Sequence, residues 1–393
     1  MITAPLGFRA AAVAAGIKPD RLDLALIAAD GPCHAAGVFT RNRAVAAPVL
    51  VSREHLASGY ARAIVVNAGC ANAATGVQGL RDAREMASAT AAALGARPEE
   101  VLVASTGVIG VPLPMEKIRA GIAAAAGQLS RVGGESASRA ILTTDTRPKT
   151  VEVQAVIGGR GVVLGGMAKG AGMIAPDLAT MLAFFTTDAA LAPGLLRRAL
   201  VEAVGESLNR ITVDGDTSTN DTALILASGA SGAPPIETES GDYHAFRVAL
   251  VSAARALAEA IVRDGEGVTR IAEVRVEGAG SSADADRVAR TVAESPLVKT
   301  ALHGGDPNWG RILAAAGRSG VEVDVSRVDI FLGGVQVAEG GAARSYDERL
   351  AAAAMCEDPV RVRLDLHAGS ESGWIWTSDL SRGYVEINAH YRS

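Results

Sequence analysis

Cysteine is scarce and scattered in this chain. Cys33, Cys70 and Cys356 lie far apart, with no CxxC pair among them. That excludes a disulfide framework and a cysteine-based zinc site, and it suits a reducing cytosol. The six histidines (His34, His55, His244, His303, His367 and His390) include no HExxH and no close pair, so no protein-held metal is expected. Aromatic residues make up only 4% of the sequence, which leaves Ala, Val, Leu and Gly to build the core. No uncharged apolar run approaches the roughly 18 residues that span a bilayer. The first twenty residues lack the basic start of a secretory signal, and Arg9 interrupts their apolar stretch. There is no basic excess either: 38 Lys+Arg stand against 43 Asp+Glu, a net charge of −5, and no basic-aromatic patch points to nucleic acid. The expectation is a cytoplasmic protein without membrane or nucleic-acid partners.

The 393 residues, 49% hydrophobic and 21% charged, describe a globular chain, with two to three domains as a soft prior at about 150 residues each. Apolar runs of strand length alternate with longer Ala/Leu-rich stretches. Residues 22–29, 63–67 and 101–105 read as buried strands. Residues 82–94, 114–129, 195–208 and 245–263 read as helices, the second with a proline in its first turn. Residues 151–156 and 161–164, joined at Gly158-Gly159, read as a hairpin. Later strands are expected at 272–276, 321–325, 328–332, 360–366 and 374–377. This mixture implies α/β, or α+β with mixed sheets. The Pro/Gly-rich stretch 229–235 with polar 237–242 is the best linker candidate.

The densest glycine cluster is Gly165-Gly166-Met167-Ala168-Lys169-Gly170-Ala171-Gly172. It lacks the GxxxxGK[ST] spacing of a P-loop, and Pro176 argues against the helix a dinucleotide fingerprint requires. Ser105-Thr106-Gly107-Val108-Ile109-Gly110 ends a buried strand, where backbone N–H groups and a hydroxyl can face a developing oxyanion. Most such triplets are plain turns. Thr143-Thr144-Asp145-Thr146 and Asp216-Thr217-Ser218-Thr219-Asn220-Asp221 are hydroxyl-rich loops. Such loops commonly cap turns and helices, and they also suit recognition of a small zwitterion.

The stretch from Pro176 through Ala179-Thr180-Met181-Leu182-Ala183-Phe184-Phe185 is the most informative. A Pro-Asp turn leads into a buried strand whose first residue is Thr180. Threonine is an ordinary strand starter. A hydroxyl at the mouth of a buried strand is also a candidate nucleophile, and no GxSxG competes with it. Without a histidine, a threonine can use its own freed amino group as base, since that group titrates near about 7.7–8.0. Such a site requires the chain to break between Ala179 and Thr180.

Gly166-Met167-Ala168-Lys169-Gly170-Ala171-Gly172-Met173-Ile174-Ala175-Pro176, followed by Leu178-Ala179-Thr180-Met181-Leu182, resembles the ornithine acetyltransferase family, the glutamate N-acetyltransferases of arginine biosynthesis. The resemblance runs over nearly the whole chain. It takes in Gly37-Val38-Phe39-Thr40-Arg41-Asn42, Ser105 to Gly110, Thr143 to Thr146, Asp214 to Asp221, and Gly305-Asp306-Pro307-Asn308-Trp309-Gly310-Arg311. It implies an arrangement of sheets sandwiched between helices. It also implies self-cleavage into an N-terminal fragment, residues 1–179, and a C-terminal fragment, residues 180–393. Thr180 is then both the cleavage residue and the acyl-accepting nucleophile, and Thr106 and Gly107 form the oxyanion hole. Thr143, Lys169, Thr180, Glu266, Asn388 and Ser393 contact substrate. The residue types agree: Lys169 suits an α-carboxylate, and Glu266 suits an amino group. A lone Glu in a Gly-flanked turn is otherwise usually solvated, and chain termini are commonly loose. One segment departs from the pattern: Asn67-Ala68-Gly69-Cys70-Ala71-Asn72 stands where the family usually has Ser at 68 and Asn at 70. This bears on a neighbouring contact or on substrate preference.

The implied reaction moves acetyl from N2-acetyl-L-ornithine to L-glutamate through an acetyl-threonyl enzyme with ping-pong kinetics, needing no cofactor and leaving acetyl-CoA open as a second donor. The implied assembly is a heterotetramer of two copies of each fragment. Rival readings are a related self-cleaving aminopeptidase or amidase, an acetyltransferase of specialised metabolism, and a catalytically silent ligand-binding protein on the same fold.

Overall fold

The computed structural model describes residues 1–175 and 181–390. The expected cleavage junction Ala179-Thr180 and the expected contact Ser393 lie outside the described residues. The chain divides into two compact units: Met1–Asn209 with Asp216–Ile261 and the last two residues, and Arg210–Gly215 with Val262–Tyr391.

The strands of the first unit are β1 (Phe8–Val13), β2 (Leu24–Phe39), β3 (Tyr60–Cys70), β4 (Val101–Val108), β5 (Lys149–Ile157), β6 (Arg160–Lys169) and β7 (Leu182–Thr187). After β8 (Ile211–Thr212), which belongs to the second unit, comes β9 (Thr222–Ala227). They form one mixed sheet in the order β4-β3-β2-β9-β7-β6-β5, with β1 paired to β2. Its helices are α1 (Ala47–His55), α2 (Gly76–Leu94), α3 (Met115–Ala126), α4 (Gly134–Ala140), α5 (Pro193–Gly205) and α6 (Gly241–Arg263).

Alternation explains how an apolar run such as residues 24–29 is buried throughout. Leu24, Leu26 and Ala28 face a core shared with Ala83, Met86 and Ala87 of α2 and Ile118 and Ile122 of α3. Ala25, Ile27 and Ala29 face a second core with Ala137 and Ile141 beside α4 and Phe184 of β7. A strand covered on both faces loses its polar alternation. The expected hairpin is present: Ile157 pairs with Arg160 across Gly158 and Gly159, at φ +54° and +78°, the left-handed pair a two-residue turn needs.

The second unit holds β10 (Ile271–Ala279), β11 (Asp329–Leu332), β12 (Val335–Glu339), β13 (Ala342–Ala343), β14 (Val360–Asp365) and β15 (Glu371–Ser378), in the order β13-β12-β11-β14-β10-β15-β8. Its helices are α7 (Ser282–Ala293), α8 (Pro296–Gly304), α9 (Trp309–Gly317), α10 (Glu348–Ala354) and α11 (Arg382–His390). Asn308, in the 305–311 motif, caps α9 by accepting from the Arg311 amide at 3.1 Å, so that residue has a structural task.

Two expectations fail. Residues 321–324 form no strand and are followed by the short helix Val325–Arg327. Val321 and Val323 lean on the core of the second unit, but among the described residues no strand pairs with them, so β-branched residues alone do not make a ladder. The linker expected at 229–242 is no boundary. Ile236 donates to Ala190 O at 2.8 Å and Gly229 to Ala189 O at 3.2 Å, which fastens that stretch inside the first unit.

Candidate active site

The end of β4 is shaped by one glycine. Gly107 has φ +127°, a conformation that residues with a side chain rarely adopt. A Cβ there would stand 2.3 Å from the carbonyl carbon of Gly69. The β3 backbone passes so close because the β3–β4 ladder is bulged there, with Cys70 opposite both Thr106 and Val108. Thr106, beside it, is buried. Below them the Ser105 hydroxyl donates to Asn67 Oδ1 at 2.6 Å, and Asn67 Nδ2 donates to Cys70 O at 2.8 Å. The strand-end peptides are thus fixed by buried polar contacts.

The hydroxyl-rich loop 216–221 ties this strand end to the mouth of β7. Asn220 Nδ2 donates to Ala71 O at 2.6 Å and to Ser105 O at 2.9 Å. Its neighbour Asp221 is buried and takes hydrogen bonds from the Ser218 hydroxyl and the Met181 amide. The Thr222 amide donates to Met181 O at 3.1 Å. The 37–42 motif clamps the loop from behind: Thr40 donates to Ser218 O at 2.8 Å and Asn42 to Thr217 O at 3.1 Å.

Lys169, the last residue of β6, pairs with Leu182 of β7. Its ammonium lies 3.9 Å from Asp145 Oδ2, and the fully buried Lys149 lies 2.7 Å from Asp145 Oδ1. The Gly170 amide donates to the same Oδ1 at 2.6 Å, and the Thr143 amide to Oδ2 at 3.1 Å. Burial would push the Asp145 carboxyl up, but Lys169, Lys149 and the Gly170 amide outweigh it and hold it at about 2. Asp221 is the opposite case. Its burial dominates, the Ser218 bonds, Lys169 and the Met181 amide offset it only in part, and its carboxyl is pushed well above the usual range.

Lys18 closes the circle. Its Nζ donates to Leu142 O at 2.8 Å, one residue before Thr143, and its stem lies against Gly69. Burial lowers its ammonium to about 8, with Asp23 opposing and Arg21 and Lys169 reinforcing. Asp23 fixes the turn by accepting from the amides of Ala15, Ile17 and Lys18. A chain of contacts therefore runs from Thr106-Gly107 through Gly69 and Lys18 to Leu142, the residue before Thr143, while Thr143 and Lys169 meet at Asp145 and Asn220 returns to Ser105. Met173, on the loop leaving β6, sits at φ +57°, an uncommon conformation that clusters at functional sites.

Of the expected site residues, the structure brings together Thr106, Gly107, Thr143 and Lys169. Met181, next to Thr180 in the chain, is held by Asp221 and Thr222. Glu266 and Asn388 belong to the second unit, where they meet each other: Asn388 Nδ2 donates to Glu266 Oε2 at 2.8 Å. Glu266 is buried rather than solvated. Gly267 lets its turn approach α11, since a Cβ there would lie 2.3 Å from the Tyr384 nitrogen. Lys18, Asp145, Asn220 and Asp221 carry roles the sequence reading did not give them. Among the described residues no group of three or more His, Cys, Asp or Glu could hold a metal ion, and no helix is long and apolar enough to cross a membrane.

Strand-end amides with a hydroxyl, a buried carboxyl and a lysine at the mouth of a neighbouring strand define a site of the acyl-transfer class. The model of the ArgJ family matches residues 9–393, and the chain belongs to that family. Relatives include the arginine biosynthesis bifunctional protein ArgJ of Symbiobacterium thermophilum, 52% identical over 395 residues, covering 100% of this chain and 98% of the relative. The protein of the same name from Geobacter sulfurreducens is 50% identical, covering 98% of this chain and 99% of the relative. A crystal structure of the ArgJ protein of Bacillus halodurans is 44% identical with TM-score 0.52, covering 54% of this chain and 100% of that chain.

Proposed function

We propose that this chain is an acyltransferase of arginine biosynthesis, moving acetyl from N2-acetyl-L-ornithine to L-glutamate through an acetyl-threonyl intermediate on Thr180. The observation that carries the reading is Gly107: its positive φ and the backbone contact at its α-carbon fix the strand-end peptides beside Thr106. A tetrahedral intermediate needs such fixed donors, each worth about 2.7–4 kcal/mol of barrier. Lys169 supplies a cation for the substrate α-carboxylate, and Thr143 adds a polar contact. The family resemblance implies substrate contacts for Glu266, Asn388 and Ser393 as well, with Glu266 taking an amino group. No cofactor or metal is required, and acetyl-CoA serves as a second donor if the chain shares the bifunctionality named in its relatives.

Maturation proceeds by attack of the Thr180 hydroxyl on the Ala179 carbonyl and hydrolysis of the resulting ester, giving fragments 1–179 and 180–393, paired as a heterotetramer of two copies each in the cytoplasm. The length of the Bacillus halodurans chain suits such a fragment. That chain matches 54% of this sequence over its own entire length, about 212 of 393 residues, close to the 393 − 179 = 214 residues that begin at Thr180.

The test is product analysis and initial-rate kinetics with N2-acetylornithine, with and without glutamate. Glutamate-dependent N-acetylglutamate, parallel double-reciprocal lines and loss of both in Thr180→Ala are expected. Free acetate formed regardless of glutamate would replace this reading with the amidase one.

A further inference from the structure

One edge of β2 is left open beside a groove that acetyl transfer does not use. β2 pairs with β9 from His34 to Phe39, and the Thr40 amide continues that register by donating to Asp221 O at 2.9 Å. Antiparallel ladders bond through every second residue, so the even-numbered residues of this stretch face β9. The odd-numbered ones face the other way, as the Ala35 amide does in donating to Gly59 O at 2.8 Å. β3 starts only at Tyr60, because the chain arrives there from the short helix Leu56–Ser58 through Gly59 at φ +72°. The backbone N–H and C=O groups of Gly37 and Phe39 therefore meet no strand among the described residues. They border a groove of about 590 Å³, with Leu56 and Val201 of α5 among its apolar walls. Bare backbone groups on such an edge are a template for a ligand that brings its own amide.

Two arginines set the charge of the groove. Arg53 of α1 and Arg197 of α5 line it, the Arg53 guanidinium 5.5 Å from the centre of the Phe39 ring, and no carboxylate lines it. Neither arginine has a hydrogen bond or ion pair among the described residues. The open edge runs only from Gly37 to Phe39, about 7 Å at the rise of a strand. That is the reach of one extended, acylated residue and is too short for a strand of another chain.

We propose that this groove is a second, non-catalytic site for an N-acylated amino acid with two carboxylates. Its amide pairs with the open edge of β2, and its carboxylates meet Arg53 and Arg197 as charge-assisted, forked pairs. An acylated diamino acid is disfavoured there, since its ammonium would face two guanidinium groups. Naming N-acetyl-L-glutamate as the ligand rests on the proposed reaction, of which it is the product.

Equilibrium dialysis of the purified protein against labelled N-acetyl-L-glutamate counts the sites. Wild type should hold two per copy, one in the groove and one at the acyl-transfer site. Arg53→Gln and Arg197→Gln should each weaken one of the two by about tenfold or more. The initial rate of acetyl transfer, measured before product accumulates, should stay near wild type in both. Val201→Trp, which fills the groove and spares both arginines, should remove the same site, and it decides if the arginine variants lose cooperative thermal unfolding. Binding that none of these variants weakens overturns the proposal, as does label lost in step with the initial rate, which places it at the acyl-transfer site. A chain that moves no acetyl group yet loses label in Arg197→Gln keeps the groove site and defeats the acyltransferase reading alone.

Discussion

At the scale of single residues, the site depends on where burial forces a choice. Gly107→Ala places a methyl 2.3 Å from backbone at φ +127°. It should lower acetyl transfer by about 10²–10³-fold, the cost of one misplaced oxyanion donor, in initial-rate assays. Gly110→Ala, at φ +79° with nothing within 4 Å of its Cβ, is the contrast. It should cost only backbone strain, about 1 kcal/mol by thermal unfolding, and leave the rate near wild type. Asp145 makes a prediction about acid. Its carboxyl is held at about 2 against an ordinary 3.8, so the folded state binds its proton more weakly than the unfolded chain does. The stabilisation, on the order of 2 kcal/mol, is complete above about pH 4 and disappears as pH falls toward 2. Asp145→Asn should cost about 3–5 kcal/mol by denaturant unfolding at neutral pH, because it removes the buried carboxylate that Lys149 meets at 2.7 Å; a near-neutral change would contradict this. The strand-end place of Thr106 and Gly107 and the place of Lys169 in the glycine loop were legible in the sequence, whereas the roles expected of them came with the family resemblance. Lys18, Asp145 and Asp221 were not. Their importance comes from long-range burial and pairing, such as Lys18 with Leu142, which no spacing encodes.

Among the elements, β7 matters most. It lies between β6, on the N-terminal side of position 180, and β9, on the C-terminal side. Six residue pairs join it to each neighbour. Cutting the 179–180 bond therefore leaves the fragments sharing one sheet and one core. Native size-exclusion chromatography should elute both fragments together, and denaturant should separate them; separation under native conditions would contradict this placement of β7. The buried strands and the Gly158-Gly159 hairpin could be read from apolar runs and turn residues. The strand expected at 321–325 misled because β-branched residues resemble a strand whether or not a partner strand exists. The 229–242 stretch misled because prolines and glycines mark a chain reversal as readily as a boundary.

For the molecule as a whole, the compact units and the fragments divide the chain differently. The units part near positions 209–216 and 261, whereas the proposed cut falls inside the first unit. The proposed maturation would thus answer to the chemistry at one strand mouth and leave the packing boundary alone. The mixed-sheet class was legible from the alternation of strand and helix runs, but the return of Arg210–Gly215 to the second unit was not, since a six-residue excursion has no compositional mark. The central claim is that Thr180 accepts an acyl group, and intact mass measurement tests it most directly. The purified protein is incubated with N2-acetylornithine in the absence of glutamate, quenched in acid and weighed. The account predicts that the 180–393 fragment gains the mass of one acetyl group, mapped to Thr180 and removed on adding glutamate. An unmodified fragment from a preparation that still makes N-acetylglutamate would contradict it.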